Sequence, residues 1–303
     1  MSVFKRFLAF VEISTKLASQ TPFFIGVAYA LYLAGKIQLA DTALLWVAVV
    51  MFDLPVTMIN NYLDKRRANE TPHFGKAASL AMIFTTVAIS LSIGLWLSWK
   101  HGLCFLAGGV VCFAAGIFYS ATPISISRTP YGEIVSGLVQ GFTIIYLVVF
   151  VNLPAGYLAQ AQLDWTSLSF NANIWNLVKL GLVTLPAVFC ISNIMLANNT
   201  CDVERDVKTQ RYTLPYFIGK KAAVLIYKLL YIAAYASMIA SVISRTLSPV
   251  TLLALASFPL VWKNVKIFEA EQVKAKTFVT SIKNFVQVLF PYMATIFIGA
   301  LFR

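Results

Sequence analysis

Charged residues are scarce in this chain, and their scarcity excludes most soluble proteins. Only 12% of the 303 residues are charged, 59% are hydrophobic, and the mean hydropathy is +0.77. A soluble domain carries about 25% charged residues. The composition therefore indicates a polytopic membrane protein, for which expectations drawn from soluble domains do not apply.

Cysteine is also rare, with four residues in the chain. No two of them form a C-x-x-C pair or another metal-binding spacing, so the sequence offers no cysteine-based metal site. All four lie in or at the ends of apolar runs, where a free cysteine behaves as a small hydrophobic residue. They are Cys104, Cys112, Cys190 and Cys201.

What the chain does have is a series of long apolar runs. A helix needs about 20 apolar residues to cross the hydrocarbon core of a bilayer. We identify nine such runs, at roughly 17–36, 42–63, 78–99, 102–120, 133–152, 175–200, 222–243, 247–263 and 283–301. The interruption at about 153–174 is too polar to span and too short to be a domain. We therefore predict an all-α fold, a polytopic bundle of about nine transmembrane helices around a central cavity, forming a single transmembrane domain over residues 1–303.

The net charge of +12 follows membrane topology rather than nucleic-acid binding. With nine spans and an internal N-terminus, 19 of the 24 Lys and Arg residues fall on the inner side and 5 on the outer side. Cytoplasmic loops carry such an excess. We therefore predict a multi-pass protein of the cell membrane, with its N-terminus and active site on the cytoplasmic side and no nucleic-acid partner. Four inner lysines are interpreted as orientation charges that contact anionic membrane lipid: Lys263, Lys266, Lys274 and Lys276.

One short phrase, N-N-x-x-D, occurs twice. It reads Asn60-Asn61-Tyr62-Leu63-Asp64 in one place and Asn198-Asn199-Thr200-Cys201-Asp202 in the other. A second acid follows each copy, Glu70 after the first and Asp206 after the second. Each copy lies where an apolar run gives way to a basic segment, and both fall on the predicted cytoplasmic side. The sequence thus predicts two acid clusters at one membrane face.

The spacing within each cluster suits metal binding. Residues four apart share one face of a helix, which aligns Asn60 with Asp64 in the first copy. The same spacing aligns Asn198, Asp202 and Asp206 in the second. Mg2+ is usually held by one or two carboxylates together with substrate phosphate oxygens, and carboxylates near the bilayer are costly and seldom idle. We therefore predict that Mg2+ and a diphosphate bind between the clusters, with ion pairing to neighbouring Lys and Arg as the alternative.

Further polar residues surround the two clusters. Basic residues flank both of them, and cations together with a metal stabilise the charge that develops on a leaving diphosphate. These are Lys65, Arg66 and Arg67 beside the first cluster and Arg205, Lys208 and Arg211 beside the second. Asp53 lies about two turns before Asn60, and we expect it to line a pocket or to pair with an internal polar group.

These residues resemble the UbiA superfamily of intramembrane aromatic prenyltransferases. That family carries N-D-x-x-D-x-x-x-D after its second helix and D-x-x-x-D after its sixth. Residues 198–206, followed by Arg211-Tyr212-Thr213-Leu214, resemble the menaquinone branch, which typically reads N-N-x-R-D-x-E-x-D and then K-R-T-L. Tyr131-Gly132-Glu133 is similar to the branch's T-P-x-G-E, and Lys16 and Tyr119 match a recurrent lysine and a tyrosine position.

Three positions depart from the family pattern. Asn61 replaces the usual first aspartate of the first motif, and Glu70 replaces the usual last one. Metal binding at the first cluster would then rest on Asp64 and Glu70, with Asn60 assisting. Cys201 stands where the branch often has arginine.

The resemblance implies a Mg2+-dependent transfer of a polyprenyl group from polyprenyl diphosphate to 1,4-dihydroxy-2-naphthoate, with decarboxylation to demethylmenaquinol. The prenyl chain would lie in an apolar tunnel open to lipid. The implied metal ligands are Asp64, Glu70, Asp202, Asp206 and Asn60. The implied catalytic residues are Asp64, Asp202, Asp206 and Tyr119, the last through stabilisation of the allylic cation by its ring. The implied substrate-binding residues are Asn60, Asn198, Lys16, Arg67, Arg128, Lys208 and Arg211.

Other functions stay open at this point. The same chemistry could serve another acceptor, namely 4-hydroxybenzoate, homogentisate, a porphyrin or a glycerol phosphate. A transporter belongs to a different class, but transporter sites usually lie near the midplane at broken helices, whereas these acids collect at one face. A non-catalytic scaffold has only Asn61 in its favour. The sequence specifies neither prenyl length nor oligomeric state.

Overall fold

A computed structural model of the protein describes residues 2–12, 16–67, 71–120 and 125–302. Helices dominate it, which confirms the predicted fold class. The helices are α1 (Val3–Phe10), α2 (Leu17–Ala34), α3 (Leu39–Arg67), α4 (Lys76–His101), α5 (Leu103–Ser120), α6 (Gly132–Leu138), α7 (Ile144–Asn152), α8 (Ile174–Lys208), α9 (Leu214–Ile243), α10 (Phe258–Ala270) and α11 (Phe278–Leu301). A π-helical turn over Val139–Thr143 joins α6 to α7, and a 3-10 helix over Pro249–Ser257 leads into α10.

The nine predicted spans all coincide with helical segments. Seven helical passes within the described residues are long and apolar enough to cross a membrane. The α6–α7 segment forms one of these passes, and the 3-10 helix with α10 forms another. The two remaining predicted spans coincide with α2 and α5, which are 18 residues long each.

The two N-N-x-x-D phrases lie on helices that run further than predicted. The second predicted span ends at 63, but α3 continues to Arg67; the sixth ends at 200, but α8 continues to Lys208. The 35 residues of α8 extend for about 52 Å at 1.5 Å per residue. That length exceeds a hydrocarbon core of about 30 Å, so the end of α8 that carries the second phrase reaches the membrane surface.

The polar interruption between α7 and α8 contains a β-hairpin that the sequence analysis did not predict. Strand β1 (Ala159–Leu163) pairs antiparallel with β2 (Leu168–Ala172), and Ala161 lies opposite Phe170. Between the end of α3 and the end of α8 the chain makes four passes, namely α4, α5, the α6–α7 segment and α8. The ends of α3 and α8 therefore lie on one side of the bundle, which we call the motif face. The hairpin lies on the opposite side, which we call the hairpin face.

Two glycines let the α6–α7 pass lie directly against α8. A Cβ atom on Gly141 would approach the backbone nitrogen of Val188 to 2.5 Å, and one on Gly137 would overlap Ser192. Small residues four apart allow such close packing of membrane helices. The contact fixes the first turn of α6 beside the second half of α8, and there the Ser192 hydroxyl donates to the Glu133 carbonyl at 3.0 Å.

Candidate active site

Asp202 is held by a lysine from a distant part of the chain. The Nζ atom of Lys274, in the loop before α11, lies 2.8 Å from Asp202 Oδ2 and also contacts Asn198 Oδ1. Asn198 and Asp202 project from one face of α8, as the four-residue spacing predicts. The Lys274 ammonium also lies 4.4 Å from the centre of the Phe278 ring, which adds a cation–π contact. The second cluster therefore binds a cation through an amide oxygen and a carboxylate oxygen.

This contact corrects one interpretation made from the sequence. Lys274 was expected to be an orientation charge that contacts lipid, as were Lys263, Lys266 and Lys276. Its ammonium instead lies on the second acid cluster, because the loop after α10 returns to the end of α8. Lys276 is different, since it lies 3.5 Å from Glu271 in its own loop.

Asp206 lies one turn beyond Asp202 and is buried, with 6% of its surface exposed. Its Oδ1 atom is 3.8 Å from Nε of Arg211, a distance that allows ion pairing but not a hydrogen bond. Its Oδ2 atom has no hydrogen-bond partner among the described residues. Arg211 is positioned through its Nη2 atom, which donates to the Ser127 carbonyl at 3.1 Å. Asp206 thus has an oxygen left over for a ligand.

Glu133 completes the motif-face end of this region, although the sequence analysis did not include it among the site residues. It is buried with 3% exposure, and Oε1 accepts a hydrogen bond from Asn199 Nδ2 at 2.9 Å. Its Oε2 atom has no partner among the described residues, and the charges of Arg211 and Asp206 both act on it. The similarity of Tyr131-Gly132-Glu133 to the branch's T-P-x-G-E was the signal that could have identified Glu133.

A cavity of about 490 Å³ lies beside this polar region. Residues of α3, α4, α5 and the α6–α7 pass line it together with Ser19 of α2, and most of them are apolar. Along α5 it extends from Phe105 to Tyr119, which is about 20 Å of helix. Tyr119 lies at its motif-face end, where the phenol oxygen is 3.9 Å from the sulfur of Met195 on α8. Tyr119 therefore stands between the apolar cavity and the helix that carries the second cluster.

Asp53 lines the same cavity and pairs with an internal cation, which confirms both expectations for it. Its Oδ2 atom is 3.3 Å from Nζ of Lys16 and accepts a hydrogen bond from Ser19 at 2.8 Å. Lys16 directly precedes α2 and also contacts Thr57.

Only part of the first cluster is described. Asn60 is half-buried on α3, and Asn61 donates from Nδ2 to the Phe10 carbonyl at 3.0 Å. The predicted ligand Glu70 lies outside the described residues. The side chains of Asp64 and Arg67 also lie outside them. Asn61 therefore tethers α1 to α3, a role for which an amide is suited because it can donate a hydrogen bond.

Two predicted substrate-binding residues lie at the edge of the site. Arg128 donates from Nη1 to the Thr209 carbonyl at 3.3 Å, and its own carbonyl accepts from the Tyr212 backbone. It therefore links the loop before α6 to the loop between α8 and α9. Lys208 is exposed at the end of α8, and no contact among the described residues brings it to Asp202 or Asp206.

The oxygens of the second cluster fit a hard divalent cation. An ammonium already lies between Asn198 and Asp202, and the unpartnered Oδ2 of Asp206 is one turn away. Amide, carboxylate and phosphate oxygens are the ligands that Mg2+ prefers. Within the described ranges, no three Asp, Glu, His or Cys side chains group closely enough to hold a metal ion by themselves. Further ligands would have to come from the substrate or from the first cluster.

Comparison with known proteins identifies a matching family and a named relative. The sequence model of the UbiA prenyltransferase family matches residues 21–285. The 1,4-dihydroxy-2-naphthoate octaprenyltransferase of Bacillus subtilis (strain 168) is 24% identical over 266 residues, which cover 84% of this chain and 79% of that protein.

Solved structures share the fold. One, from work on digeranylgeranylglyceryl phosphate synthase in membranes, matches with a TM-score of 0.68 at 17% identity and covers 100% of both chains. A UbiA homolog from Archaeoglobus fulgidus, bound to GPP and Mg2+, has a TM-score of 0.64 at 13% identity and covers 98% of this chain and 99% of that one. At these identities the likeness establishes the fold alone.

Proposed function

Because this chain belongs to the UbiA prenyltransferase family, we propose that it transfers a polyprenyl group from polyprenyl diphosphate to 1,4-dihydroxy-2-naphthoate, releasing diphosphate and CO2 and giving demethylmenaquinol. The family membership makes it a UbiA-type prenyltransferase in a multi-pass membrane bundle. The acceptor, the single domain over residues 1–303 and the cytoplasmic location of the active site belong to the proposal.

One observation carries the proposal. The oxygens of Asn198 and Asp202 bind a cation near the motif-face end of α8, and Met195 of the same helix contacts Tyr119 at the motif-face end of a long apolar cavity. A polyprenyl diphosphate has the matching polarity, with a metal-binding head and an apolar tail. The naphthoate acceptor is supported by the match of residues 198–206 to the menaquinone branch, and by the Bacillus subtilis relative that is named for this acceptor.

The head of the donor would lie at the motif face. Asn198, Asp202 and Asp206 would hold Mg2+ there, together with Asp64, Glu70 and Asn60 of the first cluster. Mg2+, when bound, supplies positive charge that stabilises the diphosphate as it leaves. Arg211 and Lys274 already lie against these acids and would contribute further positive charge. Arg67, Arg128, Lys208 and Lys16 are the remaining candidates for this role.

The reaction itself needs little covalent chemistry from the protein. The C1–O bond of the donor breaks, and the diphosphate leaves with the bonding electrons. The allylic cation that remains lies next to Tyr119, whose ring can stabilise it. A ring carbon of the naphthoate then bonds to C1, and CO2 leaves the ring. The apolar cavity keeps water from the cation, while the role of the acids is confined to the diphosphate end.

The test is turnover by the purified chain in detergent. The assay combines a polyprenyl diphosphate, 1,4-dihydroxy-2-naphthoate and Mg2+, and detects products by mass. We expect a prenylated, decarboxylated naphthoquinol that disappears with EDTA. In Asp202→Ala, the loss of one oxygen ligand should lower kcat by about 10²–10³-fold, the size seen when one charge-stabilising group is removed from a site.

The possible outcomes distinguish a wrong acceptor from a wrong type of reaction. Diphosphate release without the naphthoquinol, still blocked by EDTA, would support prenyltransferase activity with a different acceptor. 4-Hydroxybenzoate and homogentisate would then be tested as acceptors. No turnover of any allylic diphosphate, by protein that elutes as a folded species, would contradict the proposal. Lys276→Ala is the matched control variant, since Lys276 pairs with Glu271 in its own loop.

A further inference from the structure

The β-hairpin at the hairpin face has one apolar side and one polar side. Side chains of residues directly opposite each other in a hairpin share a face. Three apolar pairs alternate with two polar pairs along the strands. The apolar pairs are Ala159–Ala172, Ala161–Phe170 and Leu163–Leu168, and the polar pairs are Gln160–Asn171 and Gln162–Ser169.

The apolar side is uncovered. Leu163, Leu168 and Phe170 have exposed fractions of 67%, 66% and 68%, and Trp165 in the turn is fully exposed. Polar side chains on the reverse side are exposed as well, so the hairpin has no protein layer on either face near its tip. A continuous exposed apolar patch of this kind marks an interaction surface.

The base of the hairpin is fixed to the bundle. Leu158 and Ala159 are buried, and β1 packs against α5. The backbone N–H of Asn173 donates to the Leu158 carbonyl at 2.9 Å, and Asn176 Nδ2 donates to the Tyr157 carbonyl at 2.8 Å. The direction of the apolar side is therefore set by the bundle and does not depend on a flexible linker.

Both ends of the hairpin continue into membrane passes. β1 follows the α6–α7 pass and β2 leads directly into α8, so the hairpin stays close to the bilayer. Its five-residue strands are only about 17 Å long at 3.4 Å per residue. Ile174 and Trp175 at the start of α8 are also exposed, so exposed apolar side chains continue along the chain from the hairpin into the next membrane pass.

Most tryptophans of the chain lie at the same membrane depth as the hairpin. Five of the six tryptophans in the chain lie in the hairpin or near the hairpin-face ends of α3, α4 and α8. They are Trp46, Trp96, Trp99, Trp165 and Trp175, and all five are exposed. Tryptophan concentrates where a membrane protein crosses from hydrocarbon to headgroups, so the hairpin tip lies at interfacial depth.

The charge of the segment excludes an electrostatic attraction to anionic lipid. Residues 153–174 contain no Lys or Arg and one acid, Asp164. We therefore infer that the hairpin lies in the interfacial layer of the bilayer, with Leu163, Leu168 and Phe170 toward the acyl chains. Its Gln, Ser and Asn side chains face the water. Its partner is lipid hydrocarbon, independent of headgroup charge.

Adjacent positions on opposite sides of β2 provide the test. An environment-sensitive fluorescent amino acid is incorporated at Leu168 or at Ser169 in the full chain, reconstituted at one copy per lipid nanodisc. We expect blue-shifted emission at 168 that is quenched by brominated lipid, in discs of neutral and of anionic lipid alike. The label at 169 should instead be quenched by aqueous iodide. Phe170 and Asn171 form a second pair, in case either substitution at 168 or 169 disturbs the hairpin.

Three results would overturn the inference. Iodide quenching at both positions of each pair would place the hairpin in water. A blue shift at 168 without quenching by brominated lipid would mean that another protein surface covers the apolar side. Lipid quenching that appears only with anionic lipid would show an electrostatic attachment that the charges of this segment do not provide.

Discussion

Lys274 and a metal ion would compete for the same oxygens. The Lys274 ammonium contacts Asn198 Oδ1 and Asp202 Oδ2, which are the oxygens we propose for Mg2+. A partly exposed ion pair contributes up to about 1 kcal/mol. In Lys274→Met the metal would no longer have to displace this cation. We expect Mg2+ to bind about five-fold more tightly in the absence of diphosphate, as measured by calorimetry on the purified chain.

Lys276→Met is the control for this experiment. Lys276 lies two residues after Lys274 and pairs with Glu271, so its substitution removes the same charge without affecting the second cluster. Its Mg2+ affinity should match that of the unmodified chain. An equal increase in both variants would indicate a general effect of net charge. Unchanged affinity in Lys274→Met would mean that the metal does not use these oxygens.

Asn61 has a structural role at a position where the family usually has aspartate. Its amide donates to the Phe10 carbonyl and so ties α1 to α3, whereas a carboxylate cannot donate this bond. A hydrogen bond contributes about 1 kcal/mol. In Asn61→Asp we expect amide hydrogen exchange in α1 to become about five-fold faster, measured by mass spectrometry.

The neighbouring variant Asn60→Asp adds the same charge without touching the tether. It should leave exchange in α1 unchanged. If both variants accelerate exchange equally, charge alone loosens α1. If neither does, other contacts of α1, such as that of Arg6 with the His73 carbonyl, are sufficient to hold it.

The site residues that could be predicted together from the sequence are those that lie close to each other along the chain. Asn198, Asp202 and Asp206 could be aligned because the helical repeat alone places them on one face. Lys274 could not be assigned, because 72 residues separate it from Asp202 and only the packing of α10 and α11 against the bundle brings it there. The contact of Glu133 with Asn199 could not be assigned for the same reason, since it depends on how the α6–α7 pass lies against α8.

At the scale of elements, the contact between the α6–α7 pass and α8 depends on Gly141. A methyl group at this position would lie 2.5 Å from the Val188 backbone nitrogen, so the two helices would have to separate. Overpacking of this kind costs about 1–3 kcal/mol. We expect Gly141→Ala to lower the thermal unfolding temperature in detergent and, by shifting α6, to reduce kcat.

Gly181→Ala provides the comparison on α8 itself. A Cβ atom there would meet nothing within 4 Å, and alanine is favoured over glycine in a helix by up to about 1 kcal/mol. This variant should be as stable as the unmodified chain or slightly more stable. Equal destabilisation in both variants would count against a special role for the close approach at Gly141.

The elements that could be predicted were the long apolar ones. Apolar runs of about 20 residues identify membrane helices whatever their neighbours are. The hairpin was missed because its strands, A-Q-A-Q-L and L-S-F-N-A, contain Phe170 as their single β-branched or aromatic residue, although such residues favour strands. Helix α1 has only eight residues, too few to cross a bilayer, so a search for apolar runs of about 20 residues does not identify it.

At the scale of the whole molecule, the cavity lies between several passes of the bundle. No single helix encodes it, because Asp53, Tyr119 and Gln140 line it from three different elements. The sequence predicted a central cavity only in general terms. Its length and the position of its far end depend on packing between α3, α4 and α5, which the sequence does not specify.

The far part of the cavity should limit the donor's tail. Gly109 lines it, and a Cβ atom there would meet nothing within 4 Å. It lies ten residues before Tyr119 along α5, or about 15 Å. Gly109→Phe would therefore obstruct a long tail while leaving room for a short one. Because overpacking costs about 1–3 kcal/mol, we expect kcat/KM for a long polyprenyl diphosphate to fall about 5–150-fold relative to geranyl diphosphate.

Val111→Phe is the control variant, because it adds the same aromatic ring to α5 without obstructing the cavity. Val111 is 51% exposed and is not among the cavity residues, so its ring would point toward lipid. Competition between the two donors in one reaction, with products resolved by mass, measures the ratio without depending on the amount of active protein. An unchanged ratio in Gly109→Phe would mean that the prenyl tail leaves the cavity before it reaches Gly109. An equal change in both variants would assign the effect to α5 rather than to the cavity.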